Sequence, residues 1–389
     1  MENRKVLIVG AEENPSLPII ESLSRRGINV YVASHKRISV GGFSRYVSGR
    51  FIYPSPLVDP KGFINELENL IKKEKFDVTL VAGEQTTFLL SKYKKRLEQY
   101  TRIPLVEFDT FIKCKDKSIT MKIASEIGVP TPKTYFPEKS SIKEIARNVN
   151  YPIVIKPNNS YGARGIAYPN SSEELIQVYS KIKSEYGSCH IQEYIPHSGM
   201  QYKVEVLLDY SGEVKAGCVY NKPRYYPPTG GSSTINCTVE KKDVLDYATK
   251  ILKKIGWYGM ADCDFIEDPR DKIPKLMEIN PRFTRSIKIC VLAGVDFPYL
   301  LYNLAMGEEI PYVLEYTKGI YLRYLFSDIM WFIKSPDRFK AEPNFFWFFG
   351  KELQDEIISF RNIGPSVAYL LSKVSVLFDE KERKSCLRL

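Results

Sequence analysis

The chain has 389 residues, 44% of them hydrophobic, and a formal charge of +10. That length accommodates roughly two to three domains with a large apolar core. A disulfide-stapled scaffold is excluded: the seven cysteines are odd in number, scattered, without a CxxC pair or a histidine at metal-binding spacing. A reducing compartment is therefore expected, and the adjacent Cys189 and His190 read as structural residues. The positive charge fits nucleic acid, a membrane surface or an anionic small substrate. The basic residues are spread along the chain without a long Lys/Arg run or a recognisable motif, so no nucleic-acid partner is expected.

The start, MENRKVLIVGAEEN, leads directly into a strand-like run without a signal-peptide core and cleavage site. No stretch of about 18 uncharged apolar residues predicts a membrane span. A cytoplasmic protein is expected. The final CLRL places Arg388 at an aliphatic position of a lipidation box, which argues against that modification.

KVLIVG, residues 5–10, predicts a buried parallel strand closed by Gly10. An amphipathic helix over 16–26, a strand over 28–34, a helix over 62–76 and a strand over 77–83 follow. Strands alternating with helices predict a doubly wound parallel sheet. The first turn, GAEENPS, has one glycine and two acids where a pyrophosphate would sit, and no acid ends the second strand. The dinucleotide fingerprint is therefore absent. GEQTTF, 83–88, lies beyond the carboxyl end of a parallel strand and is a candidate cleft segment.

Helical periodicity over 109–128 ends at Gly128, and VPTPKT, 129–134, marks a connector. Strands are expected over 151–157, 190–195 and 201–214, a Gly256-capped helix over 244–256, and two strands within 260–280. Beyond residue 311 the chain becomes dense in aromatic and basic residues. A helical extension packing its aromatics on the core accounts for this, and interfacial membrane contact is the alternative.

Two constellations carry chemistry. In KPNNSYGARG, Lys156 stands at a strand end before Ser160, Tyr161, Gly162 and Gly165. Glycines permit close approach of backbone N–H groups to phosphate oxygens, and Lys156 adds a point charge. No G-K-[ST] follows, so this is not a Walker loop, and a surface turn remains the plain reading. In KLMEINPRFTRS, Glu278 and Asn280 are two apart on a strand and face one side. Asp264, on the preceding strand, can pair opposite them. Three oxygen ligands on neighbouring strands suit Mg²⁺ bridging to phosphates. Arg282 continues the alternation toward a charged oxygen. Arg285 is out of phase, and serves the acceptor site or a structural pair.

Over roughly residues 113–310 the chain resembles the ATP-grasp superfamily. CKDKSITMKIASEIGVPTPKT is similar to its leading helix and connector, YPIVIKPNNSYGARGI to its strand and glycine loop, IQEYI to its hinge strand, and EINPRF to the ending seen in carbamoyl-phosphate synthetases. The resemblance implies that Lys117 and Lys156 contact ATP phosphates. It implies adenine contacts from the backbone of Glu193 and Ile195 with the Gln192 side chain nearby, and Mg²⁺ ligation by Asp264, Glu278 and Asn280. Arg282 would contact phosphate or the developing anion. Gln201 stands where a ribose-binding Glu is common. Asp262 stands where dipeptide ligases of the D-alanine branch carry Arg, which weakens a tie to that branch. PRYYPPTGGSSTI, 223–235, resembles the substrate segment of carboxylate–amine ligases. There Arg224 would hold a carboxylate or acyl phosphate, unless it is a surface arginine stacked on Tyr225 or Tyr226, and Gly230 and Gly231 would admit close backbone approach.

The implied architecture is α/β throughout. An N-terminal doubly wound domain (1–112) precedes a two-subdomain α+β ATP-grasp fold (113–310). The latter divides into a central lid (113–190) and a C-terminal subdomain bearing the metal site (191–310). A helical, aromatic-rich extension (311–389) follows. The implied chemistry is ATP-dependent, ADP-forming carboxylate–amine ligation of small molecules with a pair of Mg²⁺ ions, Mn²⁺ being an alternative, and a homodimer is compatible with it. A carbamoyl-phosphate synthetase-like kinase of bicarbonate or carbamate, or a nucleotide-binding protein without turnover, are the competing readings.

Overall fold

A computed structural model describes residues 4–159, 164–227 and 231–378, with side chains through residue 373. The chain begins as the periodicity predicts. Strands β1 (Lys5–Val9), β2 (Asn29–Ser34), β3 (Gly49–Ile52) and β4 (Val78–Val81) form a parallel sheet in the order β3-β2-β1-β4. β4 is buried along its whole length and β1 along all but Lys5, as strands covered on both faces must be. Helices α1 (Ser16–Ser24), α2 (Pro60–Glu74), α3 (Glu84–Lys92) and the short α4 (Lys94–Leu97) connect the strands. Gly10 ends β1 at φ +90°, where a Cβ would stand 3.0 Å from the amide nitrogen of Gly83 after β4. Bare backbone at this point lets the two loops close together at the carboxyl edge of the sheet.

Helices α5 (Phe108–Lys115) and α6 (Lys117–Glu126) follow and pack on the strand and helix of a second, larger unit. In chain order a small lid comes between them and that unit. It consists of β5 (Thr134–Tyr135), α7 (Ile142–Asn148), β6 (Ile153–Pro157), α8 (Ser172–Tyr186) and β7 (Cys189–Glu193). Its sheet is antiparallel, in the order β5-β7-β6, over a separate core that includes Ile145, Ile155, Leu175 and Ile191. Both pairing partners of β7 lie in this sheet, so the expected division at 190/191 passes through a lid strand.

The large unit is a seven-stranded mixed sheet. Strands β8 (Gln201–Leu208), β9 (Val214–Tyr226), β10 (Ser232–Thr238), β11 (Gly259–Glu267) and β12 (Pro274–Asn280) run antiparallel in the order β12-β11-β8-β9-β10. Helix α9 (Lys242–Ile255) buries Val244, Ala248, Ile251, Leu252 and Ile255 against Val204, Val206 and Val219. That helical spacing is a single apolar stripe. Gly256 caps the helix in the left-handed conformation. Helices α10 (Ile287–Leu292) and α11 (Phe297–Met306) pack with α1, joining the large sheet to the N-terminal domain through Ile19, Ile20, Phe297 and Leu300.

The extension corrects one expectation. It is not purely helical: β13 (Tyr321–Arg323) pairs antiparallel with β10, and β14 (Leu353–Asp355) pairs parallel with β13. Strands of three residues are too short to show a period of two. Helices α12 (Leu325–Lys334) and α13 (Ile363–Phe378) complete it. No helix among the described residues is long and apolar enough to cross a membrane. The six described cysteines are free and buried.

Candidate active site

A cleft of about 410 Å³ opens where the lid, the ends of β11 and β12, and the carboxyl edge of the N-terminal sheet meet. Lys117, Lys156, Glu193, Ile195, Gln201, Asp264, Glu278, Asn280 and Arg282, separated by up to 165 positions in sequence, all line it. So does Glu84, from GEQTTF, at the first turn of α3.

Local structure explains how each group arrives. In the antiparallel register of β11 and β12, Asp264 faces Glu278 and Asp262 faces Asn280. The Asn280 carboxamide donates to Asp262 Oδ2 and Asp264 Oδ2, both at 3.0 Å. Lys117 occupies the first turn of α6 because Asp116 caps that helix, accepting from the amides of Ser118 and Ile119. Its ammonium lies 3.1 Å from Glu278 Oε2. Val154 and Lys156 alternate on β6, so both reach the cleft.

Glu278, Asn280 and Asp264 supply hard oxygen donors on adjacent strands, a set that fits Mg²⁺. The chain's own ammonium groups stand against these carboxylates. Lys203 lies 3.1 Å from Asp264 Oδ2, and Lys222 lies 2.9 Å from Asp264 Oδ1. Burial opposes ionisation of Asp264, but the two lysines prevail and hold it below the usual carboxylate range. Its fully buried neighbour Asp262 is pushed up to about 6 by burial, with Lys203 at 2.5 Å opposing. Lys203 and Lys222 carry no sequence signal, being single lysines within strands.

Burial, followed by the nearby Lys117, pulls Lys156 down to about 8, with Glu278 acting in the other direction. A lysine held low by burial and a like charge is poised to gain from an incoming polyanion. The sign follows directly: above pH 8 Lys156 loses its charge in the free protein. The MgATP dissociation constant, measured by calorimetry, is expected to rise above that pH by up to about tenfold per pH unit. In Lys156→Gln the same limb should flatten.

Arg282 donates to Glu84 at 3.0 Å, and Lys115 pairs with the other Glu84 oxygen, also at 3.0 Å. Burial raises the Glu84 pKa, but Arg282 and Lys115 outweigh it and keep the carboxyl below its ordinary value. Arg285 also lines the cleft. Its guanidinium makes a bidentate pair with Glu356 at 3.1 and 2.7 Å and stacks 4.2 Å from the centre of the Tyr324 ring. Glu356 is 3% exposed and also accepts from Asn14 at 3.0 Å, so the extension ties the cleft wall to the N-terminal domain. Glu356→Ala is expected to lower stability by about 2 kcal/mol, measured by denaturant unfolding, through loss of charge-assisted bonds.

Several expectations need revision. Arg224 does not reach the cleft. It is 2% exposed on β9, donates to Asp328 from Nε (3.0 Å) and Nη2 (2.8 Å), and also bonds the Pro343 carbonyl. A guanidinium so enclosed holds the extension and not a substrate, and it stacks over Trp331 and not Tyr225 or Tyr226. Gly165, at φ +71°, packs against Pro157 and Tyr186, where a Cβ would approach within 2.8 Å. Its role is therefore at the base of the loop. Gln192 is buried and donates to Thr134 at 3.0 Å, while its Oε1 has no partner. Ser160, Tyr161, Gly162 and Gly230 lie outside the described residues. Cys189 and His190 are buried within β7, and burial pulls His190 down to about 3, consistent with a structural place.

A small antiparallel lid carrying Lys156, set over a large mixed sheet that carries the carboxylates, is an ATP-grasp-like arrangement. Residues 116–313, more than half of the chain, match the model of the carbamoyl-phosphate synthase L chain, ATP binding domain, and the chain belongs to this ATP-grasp family. It is 25% identical over 344 residues to the carbamoyl phosphate synthase large chain of Clostridium perfringens, covering 82% of this chain and 31% of that protein. The chain thus spans about a third of the length of the curated relatives it matches. Among solved structures it is similar to the biotin carboxylase domain of Hydrogenobacter thermophilus 2-oxoglutarate carboxylase, in complex with MgADP, ADP and bicarbonate. That match has a TM-score of 0.68 at 18% identity, covering 82% of this chain and 73% of the other. A second is the L-amino acid ligase of Bacillus licheniformis, with a TM-score of 0.62 at 18% identity, covering 78% and 75%. ATP-grasp proteins bind ATP and Mg²⁺.

Proposed function

We propose that this protein is an ADP-forming ligase that activates a small carboxylate as an acyl phosphate and joins it to an amine. The observation that carries the reading is the convergence of Lys117, Lys156, Arg282 and the Asp264/Glu278/Asn280 corner on one cleft. A substrate carboxylate oxygen attacks the γ-phosphorus of ATP, the bond to the β–γ bridging oxygen breaks, and ADP departs. The amine nitrogen then attacks the acyl carbon, loses a proton, and expels phosphate. No protein nucleophile is required, so catalysis rests on positioning and charge stabilisation.

Lys156 and Lys117 hold the phosphates, and Arg282, aimed by Glu84, meets the transferred group. Gln201 accepts from the ribose. The backbone of Glu193 and Ile195 takes the adenine edge. Asp264, Glu278 and Asn280 would hold one or two Mg²⁺ ions, or Mn²⁺, which supply charge neutralisation at the phosphates. Arg285, braced by Glu356, lies on the acceptor side. The lid excludes water that would hydrolyse the acyl phosphate.

The family match favours a second reading, phosphorylation of bicarbonate or carbamate. Incubation with MgATP and pooled amino acids and sugar acids, following ADP and phosphate, separates the two. ADP formation that needs both a carboxylate and an amine supports ligation. Stimulation by bicarbonate alone supports the second reading, and the absence of any acceptor dependence overturns the ligase.

A further inference from the structure

We infer that the aromatic face of the C-terminal extension is a docking surface for an anionic lipid bilayer. Helix α12 turns Asp328 and Trp331 inward and leaves Ile329, Met330 and Ile333 exposed. In the segment that follows, Phe339 is 69% and Phe349 87% exposed. Helix α13 buries Ala368 and rests Tyr369 on a cluster of Leu17, Val40 and Ile357. Its outer side carries Ile363, Val367, Leu370 and Leu371, all exposed. That i, i+4, i+7, i+8 spacing is the stripe a helix ordinarily buries. Just ahead of it, Phe360 is 90% exposed.

Ring contacts tie the elements that carry these residues to one another. Phe326 of α12 packs on Tyr369 of α13 with ring centres 5.1 Å apart, and Phe332 stacks on Phe345 of the intervening segment at 4.2 Å. Single exposed apolar residues are ordinary on protein surfaces, but so many on two linked helices and the segment between them mark an interaction site.

Charge decides the occupant. Exposed Lys334, Arg338, Lys340, Lys351, Arg361 and Lys373 are interleaved with the aromatics, against exposed Asp337, Glu342 and Glu352. Arg45 of the N-terminal domain adds a further cation, donating to the Arg361 carbonyl at 3.1 Å beside Phe360. In a twofold dimer this face would meet itself, setting the cationic surplus against its own copy. An anionic bilayer neutralises that surplus while the phenylalanines enter below the headgroups.

The full chain is sedimented with vesicles of phosphatidylcholine, and with vesicles of phosphatidylcholine mixed with phosphatidylserine. Binding to the mixed vesicles, weakened by salt, is expected. Phe349→Ser combined with Phe360→Ser should lower the partition coefficient by about tenfold or more. Val58→Ser, at an 86% exposed site on the N-terminal domain, should leave it unchanged. All variants should retain the parent melting temperature and MgATP affinity. Lack of binding to mixed vesicles at low salt overturns the inference, as does equal binding by the double phenylalanine variant. Light scattering that shows a dimer abolished by the same two substitutions also overturns it, assigning the face to a second copy of the chain.

Discussion

Glu278→Gln should slow ADP formation by about 10²–10³-fold while leaving the melting temperature within about 2 °C of the parent. Glu278 faces Asp264 across the β11–β12 pair and holds Lys117 at 3.1 Å. The amide keeps the shape and removes the negative charge. A Mg²⁺ ion held by this corner would lose one of its anionic donors, and with it part of the charge neutralisation it would supply at the phosphates. Lys117 would also lose one carboxylate beside it, so affinity for metal-free ATP should hold or rise while turnover falls. A coupled ADP assay at saturating ATP, with Mg²⁺ varied, reads both effects. A loss smaller than about threefold would place the metal elsewhere.

Asp328→Ala should destabilise the chain by about 3–5 kcal/mol, read from chemical denaturation. Asp328 is fully buried, and it accepts from Arg224 at 3.0 and 2.8 Å, from Arg323 at 2.9 Å, and from Thr234 at 2.7 Å. Its removal strands two guanidinium groups inside the protein, where neither reaches water. Arg224 is 2% and Arg323 3% exposed. The main penalty is an uncompensated charge, so Asp328→Leu combined with Arg224→Met should lose less than Asp328→Ala alone. A loss below about 1 kcal/mol for Asp328→Ala would mean that water or another acceptor replaces the carboxylate. The consequence for architecture is direct: this cluster fastens α12 to β9 and β10, so its loss should free the extension before the rest of the chain unfolds.

The sequence signals that succeed are local runs and stripes. β1, β2 and β4 are dominated by buried apolar residues, and α9 shows an unbroken stripe from Val244 to Ile255. Glu278, Asn280 and Arg282 are legible because alternation on a strand puts them on one side, and Asp264 because its strand precedes theirs. The failures involve partners distant in sequence. β3, GRFI, is an edge strand half open to solvent and has no apolar run to betray it. Arg224 reads as a loop arginine until Asp328, 104 positions later, folds over it. Glu356 cannot be connected to Arg285 from sequence, because a lone acid in an aromatic segment has no pattern. Lys203 and Lys222 each look like one solvated lysine among the 56 basic residues of the chain until both meet Asp264.

Phosphorylation of a carboxylate in this cleft is tested most directly by following heavy oxygen from carboxylate-labelled substrate, supplied with MgATP and an amine, into the released phosphate by mass spectrometry. Transfer of a single labelled oxygen into each phosphate formed is the predicted result, because the acyl phosphate leaves with one substrate oxygen. Phosphate free of label, formed at the same rate as product, would contradict the account.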